Sequence, residues 1–278
     1  MSNKKQTASE TKDKSPYTFQ KEKITYELKI RDLPWTEKQQ SLIDLINDKK
    51  TRMVLVKGAA GTSKSILSIY CGLQALNNKK NSHIFYSRPI MESADAGSKL
   101  GYLPGDLVSK TEPYKRVVTE KMEELLNKGD AEKLNKENRI EFIEVNFIRG
   151  ASLNSVFLIL DEVQNFCESE IITLITRLGK YCKVILCCDP DQSDLPVNKQ
   201  GGFMKLWSLF SGADSEEQGI FKFEFSDDDI QRSEFCKFIV KKTRELKEAE
   251  KSKPKANQSN NTFGPYLKET DEWRPNSM

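Results

Sequence analysis

Met53-Val-Leu-Val-Lys57-Gly58-Ala-Ala-Gly61-Thr62-Ser63-Lys64-Ser65-Ile66-Leu67 runs from apolar residues through small ones into an apolar-periodic segment. It reads as strand, turn and helix, and the order suits a phosphate chain. Gly58, Ala59, Ala60, Gly61, Thr62 and Ser63 carry no bulky side chains, so successive backbone N–H groups can face one anion. The helix opened by Lys64, Ser65 and Ile66 adds the partial positive charge of its N-terminus. A lysine at this point reaches β- and γ-phosphates, and the following hydroxyl ligates Mg²⁺. The strict pattern has glycine before the lysine, where the backbone approaches phosphate closely. Ser63 stands there instead.

Around this stretch, 278 residues suffice for a sizeable core. The 44 basic and 41 acidic residues nearly cancel, so composition alone announces neither a nucleic-acid binder nor a membrane-surface protein. The six cysteines include no CxxC pair, and His83 is the only histidine, which argues against structural zinc and Ser-His or Cys-His nucleophiles. Cysteines in apolar runs fit buried residues of a reduced, cytoplasmic protein. No segment approaches the roughly 20 apolar residues of a membrane span, and no apolar signal core follows Met1.

Residues 1–24 and 246–278 are polar and charged, and composition predicts disordered tails around a domain at 25–245. Within it, Thr36 is a candidate N-cap for a helix with Leu42, Ile43, Leu45 and Ile46 on its apolar face. Strands are predicted at 53–56, 83–86, 140–147, 156–160, 183–188 and 220–225. Helices are expected over about 64–76, 113–126, 168–178 and 203–210, with a solvated connection to about Arg139. Alternating strands and helices behind a phosphate loop predict an α/β fold with a mainly parallel sheet. Ligands of such sheets lie at the carboxyl ends of the strands.

Two further runs point to that edge. Val156-Phe-Leu-Ile-Leu-Asp161-Glu162 is a buried strand ending in two carboxylates. Asp161 is read as holding Mg²⁺ through water, and Glu162 as orienting and polarising an attacking water. Val184-Ile-Leu-Cys-Cys-Asp189-Pro-Asp-Gln192-Ser-Asp194 is another apolar run ending in polar residues, and Gln192 is a candidate contact for the γ-phosphate or that water.

The run from Arg149 to Asn165 resembles the PhoH-like family of P-loop ATPases, relatives of superfamily-one helicases. Arg88-Pro89, Gly101-Tyr-Leu-Pro-Gly-Asp106, Thr176-Arg-Leu-Gly179 and Asp189 to Pro196 carry the same resemblance, which covers about residues 30–243. It implies a single RecA-like core using ATP and Mg²⁺, with RNA-related or helicase-like activity. It also implies that Gln39 stands where those helicases read adenine, and that Arg232 is a candidate for neutralising γ-phosphate charge. One such core leaves half of a two-domain ATP site missing, so a homo-oligomeric ring is expected.

Basic residues near the predicted strand edge, Arg88, Lys99, Lys110, Lys115 and Arg116, are candidate contacts for single-stranded RNA or other nucleic acid. A regulatory module that binds ATP without useful turnover is the first alternative, favoured by Ser63. A small-molecule kinase is the second, and the chain shows no arginine-bearing lid for it.

Overall fold

The computed structural model describes residues 22–89, 107–148 and 151–252. The glycine-containing loop at 97–106, Lys99, Arg149 and most of both proposed tails lie outside the described residues. In chain order the elements are α1 (Glu37–Asn47), β1 (Met53–Lys57), α2 (Lys64–Asn77), β2 (His83–Ser87), α3 (Leu107–Leu125), α4 (Lys128–Lys136), β3 (Ile140–Phe142), α5 (Val145–Ile148), β4 (Val156–Leu160), α6 (Glu168–Ile175), β5 (Lys183–Cys188), α7 (Gly202–Leu209), α8 (Ala213–Glu217), β6 (Ile220–Glu224) and α9 (Glu234–Ser252).

Among the described residues all six strands pair in parallel, in the order β3-β2-β4-β5-β1-β6. The phosphate-loop strand β1 and the carboxylate strand β4 are therefore not neighbours. Strand β5 lies between them, so the third polar cluster emerges between the other two. This is the expected α/β, RecA-like arrangement.

Strand periodicity divides the core. Val54, Val56, Ile84, Tyr86, Phe157, Ile159, Ile185 and Cys187 face a layer that includes residues of α1, α2, α3 and α4. Their neighbours Leu55, Phe85, Leu158, Leu160, Val184, Leu186 and Cys188 face α6 and α7. Strands covered on both faces have no polar side to alternate with, and they read as continuous apolar runs.

Four expectations need correcting. The strand expected over 140–147 ends at Phe142, and Val145 to Ile148 form a helical turn. The connection before Arg139 contains helix α4, capped by the Asn127 side chain on the Asp130 N–H at 2.9 Å. Helix α3 begins at Leu107, six residues before the expected start at Pro113; proline omits one N–H without ending it. Order reaches back into the segment read as a disordered tail, because Ile24 is buried in the core. From Phe238 onward the chain is a separate unit, in which α9 presents exposed Phe238, Ile239 and Leu246.

Candidate functional site

At the carboxyl end of β1 the chain turns through residues 58–63 into α2. Gly58 donates to the Cys188 carbonyl at 3.1 Å, joining the loop to β5. A Cβ on Gly58 would lie 2.7 Å from that of Phe225, and Gly61 sits at φ +90°, so both positions require glycine. Thr62 is buried and closes the turn by donating to the Ala59 carbonyl at 2.9 Å. The Lys64 amine bends over the loop, donating to the carbonyls of Gly58 and Ala59 at 2.7 and 2.8 Å. Ser63 adopts φ 68° and makes no side-chain cap.

Asp161 and Glu162 follow the last residue of β4. Both Asp161 oxygens accept hydrogen bonds, one from the Glu162 N–H at 3.1 Å and the other from the Tyr86 hydroxyl at 2.5 Å. Burial, and then the Asp161 charge, push the Tyr86 phenol well above its ordinary range, so it stays a proton donor. Glu162 is left-handed at φ 53°. Its carboxylate takes a hydrogen bond from the Gln164 amide at 2.5 Å and lies 3.6 Å from the Arg88 guanidinium.

The loop after β5 is tied to the same region. The Gln164 carbonyl oxygen accepts the Asp189 N–H at 3.0 Å, and Ser193 donates to the Gln164 backbone carbonyl at 3.0 Å. Asn165 and Asp194 bond reciprocally, with the Asp194 N–H donating at 2.7 Å and the Asn165 amide at 3.1 Å. Asp189 accepts the Ala60 N–H at 2.7 Å, so a carboxylate holds one of the phosphate-loop donors.

These pieces surround one cleft of about 360 Å³. It brings together Ala60, Gly61, Ser63, Lys64, Ser65 and Ile66 with Asp161, Glu162, Gln192 and Arg232. Gly58, Ala59 and Thr62 form the loop behind this wall and do not themselves line the cleft. Arg232 arrives in the same chain: its side chain packs on Gly61, and Gln231 donates to the Gly61 carbonyl at 2.9 Å.

Gln39 is not on the wall. It is buried and completes a reciprocal cap on α1, its amide oxygen accepting the Thr36 N–H at 3.0 Å. Arg88, read from sequence as a nucleic-acid contact, lines the cleft instead, as do Lys121, Asp189 and Gln231. Lys121 comes from α3, Asp189 from the end of β5, and Gln231 precedes the candidate arginine. Only tertiary packing assembles them, so spacing gave no signal; for Asp189 its place beside Gln192 was the available hint.

The cleft's oxygen donors, Ser65, Asp161 and Glu162, suit a hard cation such as Mg²⁺ completed by water and phosphate. Among the described residues no cluster of three or more His, Cys, Asp or Glu forms an all-protein metal cage. Cys187 also borders the cleft, but burial pushes its thiol up to about 12, which leaves it neutral beside Ser68. All six cysteines are free.

The sheet order and this cleft define a P-loop nucleotide-binding protein of the α/β class. The family is more specific: the profile of the PhoH-like proteins matches residues 33–244, and the chain belongs to that family. It is 32% identical over 192 residues to a PhoH-like protein of Bacillus subtilis, covering 69% of this chain and 58% of that protein. A PhoH-like protein of Mycobacterium leprae is 32% identical over 215 residues, covering 77% and 59%. The chain thus spans under two-thirds of these relatives' length. Among solved structures, the large terminase of a thermophilic bacteriophage in complex with ATP-gamma-S aligns at 14% identity and TM-score 0.44, over 75% of this chain and 49% of that one. The Pif1 helicase of Candida albicans aligns at 15% identity and TM-score 0.33, over 70% and 40%.

Proposed function

We propose that this protein hydrolyses ATP with Mg²⁺ and couples hydrolysis to single-stranded RNA or another nucleic acid. The observation that carries the reading is the convergence of Lys64, Ser65, Asp161, Glu162, Gln192 and Arg232 on one cleft. Bound Mg²⁺ would neutralise charge on the β- and γ-phosphates. The loop N–H groups and the N-terminus of α2 bind the phosphates, and Ala60 is freed for this when Asp189 lets go. Lys64 leaves the carbonyls of Gly58 and Ala59 for phosphate oxygens. Ser65 and Asp161 hold the metal. Glu162, steadied by Gln164 and Arg88, orients the attacking water with Gln192. Arg232, above Gly61, offsets charge on the transferring phosphate.

The family membership supports this reading. Among the described residues no helix is long and apolar enough to cross a membrane. We place the protein in the cytoplasm. A second copy of the chain is proposed to cover the open side of the cleft in a homo-oligomeric ring. Sedimentation with and without Mg-ATP tests that, and a monomer at full turnover rejects it.

The direct test is phosphate release from Mg-ATP, with and without single-stranded RNA. Loss of turnover in both Lys64→Ala and Glu162→Gln, with stimulation of wild type by RNA, is expected. One observation favours a second reading, an ATP-binding regulatory module: the left-handed Ser63 where a glycine would relax. ATP binding without phosphate release in either condition would select it.

A further inference from the structure

At the opposite, amino ends of β2, β4, β5 and β1 lies a second cleft, of about 1180 Å³. Strands of five or six residues separate it from the ATP cleft by about 16 Å or more of sheet. Among the described residues, seven lysines and arginines line it against the single carboxylate of Asp48. The turn before β1 supplies Lys49 and Arg52, and the turn before β2 supplies Lys79 and Lys80. Lys180 and Lys183 come from the connection into β5, and Lys23 from the segment ahead of α1. Among the described residues none of the seven forms an ion pair with a carboxylate.

Like charges gathered around a single carboxylate repel, and Lys183 registers it. Burial first, and Lys80 next, lower its amine to about 8. Lys183 itself is engaged with the carbonyls of Ile46 and Asp48 at the end of α1, and Lys80 with the Asn47 carbonyl. The remaining cations are left to face the cleft. Two other features point to a ligand. Thr51 on the wall is 2% exposed, and its buried hydroxyl has no hydrogen-bond partner, an unmet demand of the kind that native interiors rarely leave. Tyr181 stands on the rim and is 79% exposed.

We propose that this cleft is a binding site for single-stranded nucleic acid, with the lysines and Arg52 on its phosphates and Tyr181 stacking on a base. Unpaired cations tracking a backbone beside an exposed aromatic ring match the way single strands are held without sequence preference. A concave wall with one protruding ring suits a strand better than a flat lipid surface. The inference rests on the reading that the protein acts on nucleic acid, and it moves that contact from the ATP edge of the sheet to the opposite edge.

The test is fluorescence anisotropy of a labelled oligouridylate titrated at several salt concentrations. Lys79→Glu with Lys180→Glu is expected to weaken binding tenfold or more and to flatten the salt slope by about 1.4, at about 0.7 per lost single-strand phosphate contact. Tyr181→Ala is expected to weaken it roughly fivefold or more while leaving the slope unchanged, since stacking carries no charge. Retained affinity for a fluorescent ATP analogue shows that the variants fold. Unchanged oligonucleotide binding in both, with loss in Lys115→Glu/Arg116→Glu, overturns the site and leaves the nucleic-acid reading standing. No binding by wild type even at low salt overturns both. Capture on anionic phospholipid vesicles without oligonucleotide binding overturns the site in favour of a membrane surface.

Discussion

Ser63 stands at φ 68° at the entrance to α2, a left-handed conformation that a Cβ disfavours by about 1–2 kcal/mol and glycine accepts freely. Its side chain caps nothing in return. Ser63→Gly is therefore expected to stabilise the fold by about 1 kcal/mol, less the extra freedom glycine gains when unfolded, and to tighten ATP binding. Urea unfolding and nucleotide titration check both, and a variant no more stable than wild type would show that the loop relaxes around serine. Tyr86 is the other decisive single residue. Its phenol donates to Asp161 inside the core, and it cannot release that proton near neutral pH. In Tyr86→Phe the carboxylate loses an orienting donor, which costs about 1.5–3 kcal/mol for a bond to a charged group. The Mg²⁺ concentration for half-maximal phosphate release should rise about tenfold, with saturated turnover nearly retained. An unmoved Mg²⁺ dependence would make Tyr86 a packing residue only.

Elements differed in how plainly the sequence announced them. Strands β1, β2, β4 and β5 are buried along almost their whole length, so their apolar runs were unambiguous. Strand β3 is a three-residue, half-buried edge, and α4 buries only Ala131 and Leu134, so neither offered a periodic stripe to read. The candidate site was legible where one segment carries it, as in the phosphate loop and the Asp161-Glu162 pair. It was illegible where partners come from distant elements, as with Tyr86 under Asp161 or Asp189 on Ala60. Gln39 shows the converse: its position in the chain suggested adenine, while its amide oxygen serves the helix cap of α1. At the far end of α1, Lys183 sets a pH dependence. Its folded-state amine titrates at about 8, below the ordinary 10.5, so the folded protein disfavours the charged form. The unfavourable contribution is complete below pH 8, and it is relieved as pH rises toward 10.5, where the unfolded chain still binds the proton. Wild type should gain melting temperature relative to Lys183→Met across that window. A constant difference between the two would show that the carbonyls of Ile46 and Asp48 hold the amine charged.

At the scale of the molecule, the phosphate-loop cleft collects residues from the loop after β1, the end of β2, α3, the ends of β4 and β5, and the segment carrying Arg232. Those segments are far apart in sequence, and inside the cleft they set four cations, Lys64, Arg88, Lys121 and Arg232, against four carboxylates, Glu124, Asp161, Glu162 and Asp189. A polyphosphate with its metal would bridge both sets at once, so binding should be coupled to stability of the whole sheet and not to local ordering of the loop. A ligand present at a hundred times its Kd, and absent from the unfolded chain, adds about 2.7 kcal/mol. For a domain of this size that corresponds to about 5–10 °C in melting temperature. Calorimetry with Mg-ATP should show a single transition moved by that amount in wild type. Lys64→Ala should lose most of the shift, while Glu162→Gln, which disturbs water placement more than phosphate binding, should keep it. A shift retained in Lys64→Ala would mean that nucleotide is held outside this cleft, and two transitions, only one of them moved, in a chain truncated after Lys237 would mean that the cleft's two sides unfold independently.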